Sequence, residues 1–288
     1  MFLKTIGLKL SKYEDYRCGR SLEESRGRWA RSGVEGAEHE GRESLMQLES
    51  GTSSGSSWDG ERMTVGRHFV RDLEGLWGGI LKLSAVVEDA LNQSVRALCD
   101  GRTDLAALVR SEERDVDRRE VQIERDCLKV LALHQPVASD LRRVASVLKV
   151  NGDLERISNL ARNIAKRVKK LASDPAAFPI PQEMEAMAMA TLSQVRDSLD
   201  ALTKSDAKLA RTVIAGDGDI DRHYRVVMKV LKDEIRRDPD RLNTWLRLIN
   251  TSRNLERIAD HATNIAEAVV YLKEGDIIRH VDENDLAT

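Results

Sequence analysis

From about residue 66 onward the apolar residues of this chain recur every three or four positions, and the period is helical throughout. The pattern predicts a first helix over about 67–98, with Gly75, Gly78 and Gly79 as weak points inside it. Asp100-Gly101 is a stop signal. Thr103 or Asp104 is a plausible N-cap for a second helix reaching about 133. Gln135-Pro136 breaks the chain, and a third helix then runs to about 171. Its apolar residues, among them Leu141, Val144, Leu148, Ile157 and Ile164, share one broad stripe. Residues 173–182 (SDPAAFPIPQ) hold three of the five prolines and read as a linker. Three further helices are expected over about 183–203, 206–237 and 240–273. In the last, Ile258, Ala262, Ile265, Val269 and Leu272 step by four, three, four and three residues, the spacing of a coiled-coil seam.

The pattern occurs twice. Residues 153–168 (DLERISNLARNIAKRV) and 254–269 (NLERIADHATNIAEAV) align at an offset of 101. Residues 105–117 and 209–221 align at an offset of 104. The difference implies a three-residue shortening in the second copy, expected near the turn at His134-Gln135-Pro136 and its counterpart near Asp238-Pro239. A duplicated helical unit of this length predicts an all-α fold of two tandem, pseudo-symmetric three-helix bundles. The boundaries expected are 63–172 for the first bundle, 173–182 for the linker, 183–281 for the second bundle and 282–288 for a tail.

Residues 1–62 stand apart. They hold nine of the 18 glycines and the run Gly51-Thr52-Ser53-Ser54-Gly55-Ser56-Ser57, and no helical stripe is sustained there. They read as a disordered N-terminal extension, either a real arm or the product of a start codon assigned upstream of Met63. Charged residues are 33% of the chain and aromatics 4%, a balance that suits long helices with charged surfaces. A net charge of −2 gives no general case for nucleic acid. No apolar run approaches the roughly 20 residues of a membrane helix. Three widely spaced cysteines, Cys18, Cys99 and Cys127, offer neither a disulfide frame nor a zinc spacing and point to a reducing cytoplasm.

The repeat retains polar letters as well as apolar ones. Glu113 and Asp117, Asp217 and Asp221, and Glu256 and Asp260 are each four residues apart, so each pair shares a helix face. Like charges so placed repel by about 0.2–0.5 kcal/mol, which does not serve helix stability. In a chain with 48 acidic residues such pairs also arise on solvated faces, where Arg114, Arg222 and Arg257 would neutralise them. Here the first pair aligns with the second, and Glu155 aligns with Glu256. Carboxylate patches of this kind suit hard or borderline cations such as Mg²⁺, Ca²⁺, Mn²⁺ or iron. Asn159 stands where the second copy has Asp260. The second-half set (Asp217, Asp221, Glu256, Asp260) is therefore expected to hold metal more tightly than the first-half set (Glu113, Asp117, Glu155, Asn159). His134 is expected to cap its helix rather than bind metal. His223 and His261 are the better ligand candidates, with surface roles favoured for both. Trp77, Trp245, Cys99 and Cys127 are expected in packing roles.

With these motifs in order, the chain over most of 66–281 resembles the PhoU family of phosphate-transport regulators. The resemblance lies in Gln135-Pro136-Val137-Ala138-Ser139-Asp140-Leu141-Arg142, in the two Leu-Glu-Arg-Ile segments each followed by Asn-Ile-Ala, and in Gly275-Asp276-Ile277-Ile278-Arg279-His280. It implies carboxylate sites for iron or zinc, multinuclear in character, on the acidic residues named above, with Mg²⁺ or Mn²⁺ as alternatives. Asn159 departs from the family pattern, and Ser158 and Ala259 stand where the family commonly has Gly. It further implies a cytoplasmic, homodimeric regulator, not an enzyme. Such a protein restrains phosphate uptake between the ATPase subunit of the phosphate ABC transporter and a phosphate-sensing histidine kinase. Two rivals remain from the residues themselves: a helical adaptor that holds no metal, and a ferritin-like carboxylate enzyme. The second needs Glu-x-x-His on two helices, and the chain has none.

Overall fold

Eight helices follow in order along the described part of the chain, with the duplicated segments at the centre. The computed structural model describes residues 58–278 apart from 112, 175 and 176, with side chains from His68 onward and not at Glu113. The helices are α1 (Trp58–Asp100), α2 (Thr103–Ser111), α3 (Glu113–His134), α4 (Ala138–Leu171), α5 (Gln182–Lys204), α6 (Ala207–Ala215), α7 (Asp217–Arg237) and α8 (Leu242–Glu274), with a 3₁₀ turn at Pro239–Arg241. No strand occurs among the described residues. The helices α1–α4 and α5–α8 form two equivalent sets, and α4 and α8 pack against each other at the middle.

The apolar letters of the repeat make that central seam. Leu154, Ile157, Ala161, Ile164 and Val168 of α4 recur as Leu255, Ile258, Ala262, Ile265 and Val269 of α8, and all ten are fully buried. Their three- and four-residue steps keep them on one face of each helix. Small residues let neighbouring backbones approach: Ser158 and Ala259 are buried, and the Ser94 hydroxyl of α1 donates to the Ala161 carbonyl at 3.0 Å.

Three details differ from the sequence reading. The first helix is already present at Trp58, the first described residue, so residues 58–62, expected within the unstructured extension, are helical. The remainder of that expectation, and that for the tail from 279 onward, lies outside the described residues. Gly75, Gly78 and Gly79 leave α1 unbroken. In the second copy the expected middle helix is instead two: α6 ends at Ala215 before α7 starts at Asp217, while in the first copy α2 is described to Ser111 and α3 from Glu113. At that break the Gly216 N–H turns back to the Thr212 and Val213 carbonyls, closing α6, while its own carbonyl accepts the Asp219 N–H and opens α7. The turn between α3 and α4 occupies 135–137, where the second copy passes from Asp238 into its 3₁₀ turn, as the offset change predicts.

The linker is tied to the second copy. Asp174 accepts from the Thr244 hydroxyl at 2.6 Å and from Arg241 Nε at 3.2 Å. Trp245 is buried, donates from Nε1 to the Asp238 carbonyl and lies under the Arg241 guanidinium. Trp77 is half-buried beneath Arg143. Cys127 is buried and Cys99 half-buried, and burial pushes both thiols up to about 12, outside the range of reactive thiolates. Polar bridges join the two copies. Arg196 of α5 meets Glu88 of α1 at 2.9 Å, and His261 of α8 meets Asp153 of α4 at 2.8 Å, with Asn264 also donating to Asp153.

Candidate metal centre

The break before α7 sets the geometry of the second acidic face. Asp217 and Asp219 fall in the first turn of α7, where exposed backbone N–H groups and the helix dipole favour negative charge. Asp221 follows one turn on, and α8 runs alongside α7, bringing Glu256 and Asp260 toward the same surface. All four expected residues gather there. Burial first, then the charges of Asp260 and Asp221, raise the Glu256 carboxyl above the usual carboxylate range. Burial, with Asp217 and Asp221 adding to it, does the same for Asp260. Arg257 for both, with Arg253 at Glu256 and the His261 ring at Asp260, opposes this without cancelling it.

Asp217 is held by neutral donors. The Thr263 hydroxyl donates to Asp217 Oδ1 at 2.9 Å, and the Gln194 amide donates to Thr263 Oγ1 at 3.2 Å and to Asp217 Oδ1 at 3.4 Å. The amide oxygen of Gln194 is buried beside them with no protein partner. A crowd of carboxylates only partly offset by neighbouring Arg side chains, next to an unpaired carbonyl oxygen, fits a positively charged ligand. The four expected donors on this face are oxygens. Of the two candidate nitrogens, His261 is engaged by Asp153 on the far side of the seam, and His223 lies half-buried on α7 two residues beyond Asp221. That composition suits Mg²⁺, Mn²⁺ or iron better than zinc, which favours thiolate and imidazole. Among the described residues no three acidic, His or Cys side chains converge on one point, so ligation requires rotamer changes at these half-buried and exposed carboxylates.

The first-half face is built differently. Glu113 opens α3, and its side chain lies outside the described residues. Asp117 is exposed, and Glu155 is already engaged: the Asn159 amide donates to Oε1 and Arg156 lies 3.4 Å from Oε2. Arg162, nine-tenths buried, occupies the register that Thr263 holds in the second copy. Two acids missed by the sequence reading, Glu120 and Glu124, extend this face one and two turns beyond Asp117. Burial, then Glu124, Glu155 and Asp117, raise the Glu120 carboxyl. The Asn151 amide of α4 donates to the Glu120 carbonyl at 3.0 Å. The steps of three and four residues from Asp117 to Glu120 and Glu124 were visible, but their counterparts are Tyr224 and Met228, so a search for repeated acids passes over them.

The raised carboxyls define a sign. Glu256 and Asp260 keep their protons to higher pH when folded than when unfolded, so the folded chain binds more protons across that window. Stability without metal therefore rises as pH falls through the window and is diminished by these groups at neutral pH. The pair Glu256→Gln and Asp260→Asn is expected to raise the melting temperature of chelator-treated protein at neutral pH by about 2 °C. A lower melting temperature would show that these carboxylates are favourably compensated.

Comparison with known proteins agrees across the whole duplicated region. Residues 80–168 and 184–269 each match the family model described as the PhoU domain. The chain is 35% identical over 217 residues to the phosphate-specific transport system accessory protein PhoU homolog of Pseudomonas aeruginosa, covering 75% of this chain and 90% of that one. It is also 35% identical over 210 residues to the Aquifex aeolicus homolog, covering 73% and 95%. The crystal structure of PhoU from Pseudomonas aeruginosa aligns with a TM-score of 0.70 at 35% identity, covering 72% of this chain and all of the other. That of the phosphate transport system regulatory protein PhoU from Streptococcus pneumoniae aligns at 0.66 and 28% identity, covering 73% and 98%.

Proposed function

This chain belongs to the PhoU family, and from that premise we propose that it is an accessory of a phosphate transport system that restrains uptake and phosphate-regulon signalling when phosphate is plentiful. The observation that carries the proposal is the match of both halves to the PhoU domain, with identity sustained over nine-tenths of the curated relative. It is a regulator and not an enzyme: its relatives are named as accessory and regulatory proteins. Its finer role, on the resemblance of its motifs, is to couple the ATPase subunit of the phosphate ABC transporter to a phosphate-sensing histidine kinase as a cytoplasmic homodimer. No described helix is long and apolar enough to cross a membrane. Deleting the gene is expected to leave the phosphate-starvation response switched on in phosphate-rich medium. A reporter that stays off in the deletion strain would sink the assignment.

Within this role the second-half face, Asp217, Asp221, Glu256 and Asp260, is proposed to hold an oxygen-ligated cation. Its support is the burial and mutual repulsion of carboxylates that raise Glu256 and Asp260. When bound, the cation supplies positive charge that offsets this repulsion. The residues themselves present the anionic surface and, through Thr263 and Gln194, fix the orientation of Asp217. The second reading is a helical adaptor that works without metal. The specific observation in its favour is that no three described donors converge.

A further inference from the structure

The outward side of α7 carries a row of cations that neither the core nor the acidic face uses. Arg222, Arg225, Lys229, Lys232 and Arg236 follow at intervals of three, four, three and four residues, and all are exposed. They therefore form one line about 21 Å long, at about 1.5 Å of rise per residue. The ends of the row are paired, Arg222 with Asp219 and Arg236 with Asp233 at 2.7 Å. The middle is not: Arg225 donates to the main-chain oxygen of Asp221, and among the described residues no carboxylate pairs with Arg225, Lys229 or Lys232.

The duplication supplies an internal control. The same line on α3 is Arg118, Val121, Arg125, Leu128 and Ala132, with Val121 39% and Leu128 54% exposed. The fold thus accepts apolar residues at these surface positions and does not require cations there. Nor does the row reflect general basicity: residues 222–237 hold six Arg and Lys against two acids in a chain of net charge −2.

We infer that α7 lies along an anionic lipid surface through Arg225, Lys229 and Lys232. A cluster of four to eight Lys and Arg on one helix face is the general footprint of anionic-lipid binding. Two of the three middle cations, Lys229 and Lys232, are lysines, point charges on flexible stems that follow a diffuse field of headgroups. A partner with fixed carboxylates would be better matched by the planar fork of Arg. Val226, 50% exposed, and the half-buried Tyr224 and Met228 flank the row with apolar surface, as an interfacial helix requires. The inference rests on α7 alone and is independent of the phosphate assignment.

The test is co-sedimentation of the full chain with vesicles of phosphatidylcholine alone, or with about 30% phosphatidylglycerol added, at low and high salt. The expected result is about tenfold stronger binding to the anionic vesicles, weakened by salt. Binding should fall to the neutral-vesicle level in the Arg225→Glu, Lys229→Glu, Lys232→Glu variant. A variant of equal net charge on the other copy, Arg118→Glu, Arg125→Glu, Lys129→Glu, controls for overall charge and should bind as the unmodified chain does. Circular dichroism establishes that both variants are folded. Equal binding to the two vesicle types, equal loss in both variants, or full binding by the α7 variant would each overturn the inference. Failure of the unmodified chain to bind either vesicle would overturn it in favour of an acidic protein partner.

Discussion

Replacing Arg196 with Met is expected to destabilise the protein by about 2 kcal/mol at neutral pH, below the range for a fully buried ion pair because the Arg196 side chain is 31% exposed. Arg196 of α5 is the cation that reaches across to Glu88 of α1, and the Glu88 side chain is only 11% exposed. Burial already raises the Glu88 carboxyl, while the hydrogen bond and charge of Arg196 work against that rise. Without the guanidinium, desolvation stands unopposed and is reinforced by Asp89 and Asp200. The sign with pH follows. A carboxyl whose folded pKa is raised stabilises the folded state when protonated and loses that contribution as pH rises through the folded value. The variant's deficit should therefore be largest at neutral pH and shrink toward about pH 5. Adding Glu88→Gln should recover much of it, since a neutral amide no longer needs the cation. Urea melts of the two variants at both pH values provide the measurement. A deficit that grows on acidification would contradict the account.

The seam between α4 and α8 was legible because its residues are the same in both copies, from Leu154 and Leu255 to Val168 and Val269. Packing two equivalent helices along one axis leaves few choices for those positions, and periodicity alone finds them. The break in the second copy's middle helix was not legible. Gly216 ends a helix, whereas Gly75, Gly78 and Gly79 sit inside an uninterrupted one. The residue is the same, and the backbone bonds its neighbours find decide the outcome. That break matters to the site, because it places Asp217 in a first turn where the helix terminus already favours an acid. Part of the repeated acidic pattern therefore has a local cause that spacing did not reveal. The bridges from Glu88 to Arg196 and from Asp153 to His261 span more than 100 residues and depend on how the copies meet. No periodicity within one helix carries that information. In the first copy, Glu120, Glu124 and the buried Arg162 reshape the acidic face at unrepeated positions, which a reading based on repetition passes over.

Metal content is expected to depend on the second copy. There the four acids Asp217, Asp221, Glu256 and Asp260 share one face, and Asp217 is oriented by Thr263 and Gln194. In the first, both oxygens of Glu155 are engaged by Asn159 and Arg156, and Arg162 brings a cation to the register of Thr263. Affinity for a hard cation follows the number and charge of oxygen ligands. Removing Glu256 and Asp260 takes away half of the second-half set and should weaken binding on the order of tenfold or more. Removing Glu155 takes away a carboxylate already engaged and should change bound metal little.

Elemental analysis of protein purified without chelators, comparing the unmodified chain with Glu256→Ala, Asp260→Ala and with Glu155→Ala, tests this directly. The account predicts metal in the unmodified chain, sharply reduced in the double variant and nearly unchanged in Glu155→Ala. Equal loss in both variants, or no metal in a folded unmodified chain, would contradict it; the latter would leave the metal-free adaptor as the reading of this family member.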